Sequence, residues 1–275
     1  MITLLPETLE DLWEIFHHQP DYKPMAGGTD LLVRMGVDKK QPPALVCLEK
    51  IHDLKTIKKT RDGIRIGSGV TLTELLKNDL IQENLPILHT AISTLGSPLI
   101  RNMGTLGGNI CTASPAGDTL PALYLLGARV TLYSDRGNRI LPLDEFIQGP
   151  GRTLLADKEI LGSILIPPGD RFNVHHFEKV GQRKALAIAV VSLAALLKVH
   201  GGVVEEARLA WGSVGPTIVR SREAEKALEG RKLTLTTLNH AADLARSAVS
   251  PISDVRASAD YRRRVAGNLL LRLAV

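Results

Sequence analysis

The segment Thr105-Leu106-Gly107-Gly108-Asn109-Ile110-Cys111-Thr112-Ala113-Ser114-Pro115-Ala116-Gly117-Asp118 restricts this chain more than any other. Small, hydroxylated and glycine residues fill it, with almost no bulk. A second segment, Ala26-Gly27-Gly28-Thr29-Asp30, has the same character far upstream. Paired glycines let successive backbone N–H groups point the same way, at φ values other residues avoid. Such a concavity binds anionic oxygens. Two of them in one chain imply a phosphate-bearing cofactor held from two sides. The upstream pattern reads as a strand over Tyr22–Ala26, the glycine turn, and a helix from Asp30 to Met35. That order presents free N–H groups to an anion.

The bulk numbers exclude several other classes. The chain has 275 residues, enough for one large domain or two smaller ones. Hydrophobic residues make up 44% and charged residues 23%, ordinary for a globular protein, while aromatics at 4% leave an aliphatic core. The net charge of +5 is scattered, and its densest run, Arg262-Arg263-Arg264, reads as the solvated face of a terminal helix. Without a basic stripe and interleaved aromatics, no nucleic-acid partner is expected. Two cysteines, Cys47 and Cys111, cannot form a metal cage and fit a reducing compartment. No apolar run is long enough to span a bilayer, and no signal peptide is evident, so a cytoplasmic location with no membrane contact is expected.

Periodicity places the remaining elements. Thr8–His18 reads as an amphipathic helix, and Ala44–Leu48, Ile57–Thr60 and Ile64–Gly67 as strands. Thr71-Leu72-Thr73-Glu74 fits a capping box for a helix to about Asn78. Helices follow over Pro86–Leu95 and Thr119–Leu126, a hairpin over Val130–Ser134 and Arg139–Leu141, and an alternating strand over Ile160–Ile166. Pro167-Pro168-Gly169-Asp170 is the linker candidate. Beyond it, Val174–Val180, Leu186–Val199 and Val203–Trp211 read as three antiparallel strands. Helices over Arg222–Leu228, Leu235–Ala248 and Asp260–Leu273 close the chain. Strands followed by helices indicate an α+β domain with helices on one face of the sheet.

Known phosphate signatures fail. A Walker A loop needs a Gly-Lys dipeptide, which is absent. Gly67-Ser68-Gly69-Val70-Thr71-Leu72 lacks the third glycine of a Rossmann fingerprint and reads as a turn before a capped helix. Asp118 either caps the helix at Thr119 or faces a sugar hydroxyl or ring N–H, because a phosphate would repel it. Arg101 either neutralises phosphate or forms a surface ion pair. The histidines sit in adjacent pairs or alone and lack metal spacing; a structural role suits them. No serine lies in GxSxG. The chain offers a cofactor site and little acid–base machinery, as when the chemistry resides in the cofactor.

These segments resemble the FAD-binding medium subunit of the molybdenum hydroxylase family, which includes the xanthine dehydrogenases and carbon monoxide dehydrogenase. The carriers are Ala26-Gly27-Gly28-Thr29-Asp30-Leu31, Gly96-Ser97-Pro98 with Ile100-Arg101-Asn102, Gly104-Thr105-Leu106-Gly107-Gly108-Asn109-Ile110, Ser114-Pro115-Ala116-Gly117-Asp118 and Phe177-Glu178-Lys179. The resemblance covers essentially the whole length. It implies a two-lobed FAD domain of the vanillyl-alcohol-oxidase (PCMH) type over residues 1–168, with lobes of about 1–55 and 56–168, then a C-terminal α+β domain over 172–275. It implies that Pro24, Met25, Ala26, Gly27, Gly28, Thr29, Asp30 and Leu31 line the first loop. Thr105 and Asn109 bind from the second segment, with Gly107 and Gly108 giving backbone access. Asp118 holds a polar part of FAD, Leu161 and Lys179 contact the flavin, and Leu95 lies against the cofactor.

The implied role is a flavoprotein oxidoreductase subunit in a heteromer. Electrons arrive from 2Fe–2S clusters in a small partner and leave for NAD or another acceptor, while substrate reacts at molybdopterin in a large partner. The 4-hydroxybenzoyl-CoA reductase type carries an extra cysteine-bound cluster, which two cysteines exclude here. The alternative is a stand-alone flavin oxidoreductase of related fold, or a nucleotide-binding subunit without catalysis.

Overall fold

A computed structural model describes residues 1–19, 21–39, 41–169 and 172–274. The chain divides into two compact units, neither continuous in sequence. Met1–Lys77, Ser97–Thr112 and Ala128–Pro168 form the first; Asn78–Gly96, Ala113–Gly127 and Gly169–Val275 form the second. Asp170, which ends the expected linker, lies outside the described residues, as does Val275.

In the first unit the apolar run Ala44–Cys47 is buried throughout. It is the middle strand of a parallel sheet, between Ile2–Leu4 and Tyr22–Met25. Parallel strands read as continuous apolar runs because both faces are covered. Helix Leu9–His18 supplies Leu12 and Phe16 to a core with Val46, Ile51 and Leu54. Its capping box is complete: the Thr8 hydroxyl accepts from Asp11 N–H, and the Asp11 carboxylate accepts from Thr8 N–H. Tyr22 stacks on Phe16 with ring centroids 4.3 Å apart.

The second sheet of this unit is antiparallel, in the order Ile57–Thr60, Gly63–Gly67, Ile160–Ile166, Arg129–Ser134, Gly137–Pro142. Ile160–Ile166 is its centre although it comes last in the chain, and it is buried on both faces rather than alternating. The capping box at Thr71 forms, but its helix stops at Leu76. Asn78 then caps a separate helix, Asp79–Asn84, with its side chain accepting from Ile81 N–H at 3.3 Å.

In the second unit Val174–Val180, Val191–His200 and Val203–Gly212 form an antiparallel sheet, joined by a short fourth strand, Val219–Arg220. The middle strand begins at Val191, five residues later than expected. Leu186 has a φ of +55°, and its carbonyl accepts from the Arg183 guanidinium at 2.7 Å, which removes it from a ladder. Leu193, Ala195, Leu197, Leu209 and Trp211 face the helices Arg222–Leu228, Leu235–Ala248 and Ala259–Leu270.

The other sheet face is not bare, contrary to expectation. Helices Thr119–Leu125 and Pro86–Ser93 pack on it. Ser192 and Gly212 pair there, and a methyl group on Gly212 would overlap the Ser192 hydroxyl and reach Pro121. With both sides covered, Val191–Leu197 is buried throughout.

The arginine run is also corrected. Arg262 is only 4% exposed; its guanidinium donates to the carbonyls of Val190 (2.6 Å) and Ser213 (3.2 Å) and to Asp254 (2.8 Å). Pairing of its two terminal nitrogens makes the buried charge tolerable, while Nε has no partner among the described residues. Among the described residues no helix is long and apolar enough to cross a membrane.

Candidate functional site

The two glycine segments meet in the first unit. Strand Tyr22–Met25 carries Pro24 and Met25 opposite Val46 and Cys47, and delivers Ala26 through Asp30 to helix Leu31–Asp38. Gly28 has a φ of +70°, where only glycine is relaxed. Gly27 is glycine for space: a methyl group there would overlap the Met103 carbonyl. The Thr29 hydroxyl lies 3.4 Å from where a methyl group on Gly104 would sit. The Thr112 hydroxyl donates to the Asp30 carboxylate at 3.1 Å, and Arg34 pairs with the same oxygen at 2.9 Å. The segments are therefore clamped at both ends.

Their roles differ from the symmetric pair expected. The N–H groups of Gly28, Thr29 and Asp30 have no partner among the described residues. Three successive free donors before a helix form a nest for an anion. The second segment is itself a helix, Leu106–Thr112, and neither Gly107 nor Gly108 has a positive φ.

The N–H of Gly107 donates to the Ser68 carbonyl at 3.0 Å, and that of Gly108 to the Thr105 hydroxyl at 3.0 Å. Those donors are spent inside the fold, so the second segment is not a nest. A methyl group on Gly107 would overlap Ser68, whereas one on Gly108 would approach only the Thr105 hydroxyl, at 3.0 Å. Gly107 is needed for packing; Gly108 leaves a face open.

Leu161 is tied to the same place. It is buried in the central strand, next to the irregularity at Gly162. The Gly162 carbonyl accepts from Ser68 N–H at 3.0 Å, so Ser68 bridges this strand to Gly107. Asn109, one turn on, donates its backbone N–H to the Thr105 carbonyl at 3.0 Å. Ser68 was overlooked in the sequence, because a serine between two glycines carries no signal beyond a turn.

Leu95, Asp118 and Lys179 lie in the second unit. Strand alternation puts Lys179 on the sheet face shared with Ser192, its direct partner. The Lys179 ammonium donates to the Asp118 carboxylate at 2.6 Å and to the Thr94 carbonyl at 2.7 Å. Leu95 follows Thr94 directly, at the end of helix Pro86–Ser93. Asp118 precedes helix Thr119–Leu125 but makes no side-chain capping bond. Its second oxygen, Oδ1, is buried and without a partner among the described residues. Burial pushes the Asp118 carboxyl up to about 6, against the opposing pull of Lys179.

The remaining candidates are occupied structurally. His17 pairs with Asp135 at 2.8 Å, and His175 meets the Phe172 carbonyl at 3.0 Å. Burial pushes the Cys111 thiol up to about 12, which keeps it protonated and a poor nucleophile. Among the described residues, no three His, Cys, Asp or Glu side chains are grouped to hold a metal ion.

Two family patterns match this chain. One, described as the FAD binding domain in molybdopterin dehydrogenase, matches residues 2–169. The other, the CO dehydrogenase flavoprotein C-terminal domain, matches residues 176–274. The chain belongs to the FAD-binding medium-subunit family of the molybdenum hydroxylases.

A xanthine dehydrogenase FAD-binding subunit of Escherichia coli O157:H7 is 34% identical over 258 residues, covering 93% of this chain and 88% of its own. The carbon monoxide dehydrogenase medium chain of Hydrogenophaga pseudoflava is 31% identical, covering 92% and 88%. Among solved structures, quinoline 2-oxidoreductase from Pseudomonas putida 86 superposes with a TM-score of 0.95 at 27% identity, covering 100% of this chain and 95% of that one. This medium-subunit homologue is thus α+β and an oxidoreductase component, as expected from its sequence.

Proposed function

We propose that this chain is the FAD-carrying electron-transfer subunit of a heteromeric molybdopterin-dependent dehydrogenase. The observation that carries the reading is the row of free N–H groups at Gly28, Thr29 and Asp30, clamped against helix Leu106–Thr112. A diphosphate suits that nest, and the open face of Gly108 admits a ligand close to main chain. The orphaned Asp118 Oδ1 also fits a cofactor with polar ring or sugar groups. On this reading FAD is held by Pro24 through Leu31, Thr105, Gly107, Gly108, Asn109 and Leu161, with Leu95, Asp118 and Lys179 as further contacts.

FAD supplies the exchange between one-electron and two-electron transfer. The residues of this chain bind it, orient it and exclude water; none is assigned a proton-transfer step. Electrons come from 2Fe–2S clusters of a small partner and pass to NAD or another acceptor, and a large partner holds molybdopterin. The expected location is the cytoplasm.

Purified protein should be yellow and release FAD on denaturation, and should co-purify with an iron–sulfur chain and a molybdopterin chain. Failure to take up FAD on reconstitution overturns the reading. Reduction of bound flavin through the iron–sulfur partner, followed at 450 nm, tests the electron route.

A further inference from the structure

The antiparallel sheet of the first unit has two unlike faces. One belongs to the core: Ile64, Ile164 and Val130 are at most 5% exposed. On the other, strand register puts Lys58, Arg65, Leu165, Arg129 and Pro142 in one row across all five strands. This face opens along the row. Lys58 and Arg129 are exposed, Arg65 and Leu165 are half-buried, and Ile140, two residues before Pro142 on the same side, is 48% exposed.

Three cations thus line up within about 14 Å, the span of three strand spacings. Lys58 and Arg65 are direct cross-strand partners. Like charges in that position repel each other and weaken a sheet. Arg65 reaches only the Ser163 hydroxyl, at 3.5 Å. Among the described residues none of the three cations pairs with a carboxylate. A row of carboxylates brought from outside would relieve the repulsion. Leu165, Ile140 and Pro142 add apolar area, and arginine among apolar side chains is the composition of a protein contact. A single-stranded nucleic acid would want aromatic stacking residues, and the row holds none.

Position selects the partner. Leu165 lies four residues from Leu161, roughly 13 Å along the strand, so the row is set back from the end of the strand assigned to the cofactor. The small iron–sulfur chain must approach the flavin. The large chain passes its electrons through the small one, and it can hold this chain from a distance.

We propose that Lys58, Arg65 and Arg129 dock this chain onto a carboxylate-bearing face of the large molybdopterin chain. The assignment rests on the heteromer reading above. It gives the open sheet face a task separate from that of the glycine segments.

The test uses the assembled heteromer. A carbodiimide, which joins an amine to a carboxylate without a spacer, should couple Lys58 to Asp or Glu of the large chain. Arg129→Lys should add a second coupling to the same region. In Lys58→Glu/Arg129→Glu the dissociation constant, read by mass photometry on dilution, should rise at least about 10-fold, because like charges then meet across the contact. The control Lys226→Glu/Arg231→Glu makes the same charge change at exposed positions of the second unit. It should assemble like wild type, and both variants should keep the wild-type Tm and FAD content.

Coupling of Lys58 only to the small chain or to a second copy overturns the inference, as does its failure to couple while other lysines of this chain do. Equal weakening in the control also overturns it, since net charge alone would then govern assembly. Loss of heparin retention in the row variant, with assembly unchanged, would reassign the row to a polyanion. If wild type assembles with neither partner chain, the heteromer reading falls first, before any variant is compared.

Discussion

The glycine segments and the Asp118–Lys179 pair are built by opposite means. Around Gly28 and Gly108 the fold does without side chains, leaving main-chain donors unpaired at Gly28 and space open at Gly108. Around Asp118 and Lys179 it buries two full charges and leaves one carboxylate oxygen unanswered. A main-chain nest costs little to keep in water, because its N–H groups can be hydrated. A buried ion pair costs desolvation free energy whether or not a ligand is present. The first region should therefore break through shape and the second through charge.

In the first region the largest effect is expected at Gly27 and Gly107. A valine at either position drives a side chain into backbone, at Met103 or Ser68, which cannot swing aside. Overpacking of this kind costs about 1–3 kcal/mol or more, and both variants should show a lowered Tm. Gly108→Ala meets only a hydroxyl and should keep its Tm within a few degrees. Equal losses at all three would erase the distinction between packing glycines and the open one.

Lys179→Met attacks the other region. It strands the Asp118 carboxylate in a buried site, at a cost of about 3–5 kcal/mol, measurable by urea unfolding at pH 8. A loss below about 1 kcal/mol, the range of an exposed pair, would mean that the pair is hydrated.

A smaller effect follows from pH. The Asp118 carboxyl is raised in the folded chain from 3.8 to about 6, with burial as the first cause. A raised acid contributes stability that is fully present below the unfolded value and is lost as pH rises through the folded one. Wild type should therefore lose on the order of 2 kcal/mol between pH 4 and 7 relative to Asp118→Asn. Parallel stability curves would contradict the shift.

The smallest effect is at Cys111, where the native thiol should react with a maleimide at pH 8 far more slowly than the unfolded one. Rapid native labelling would contradict the raised thiol.

Local signals made much of this legible. The capping box at Thr71 acts within four residues and appeared where its spacing put it. Strands Val174–Val180 and Ile160–Ile166 also kept their expected bounds. What escaped depended on distant partners. Helix Leu106–Thr112 was hidden because two glycines argue against a helix, yet Ser68 and Thr105 hold it in place. The second covered face of the C-terminal sheet is built from helices Pro86–Ser93 and Thr119–Leu125, which lie far upstream. The Thr94 carbonyl has no residue-type signature at all, since any residue supplies one. Arg262 looked like a surface charge because its three partners lie 8 to 72 residues away.

Flavin content of Gly108→Val, set beside wild type, tests most directly whether the glycine segments form a cofactor cradle. Both proteins would be purified from the same host, their thermal unfolding compared, and FAD quantified after denaturation. The cradle predicts stoichiometric FAD in wild type and a folded variant almost empty of flavin. A Gly108→Val protein that is folded and fully loaded with FAD would contradict it.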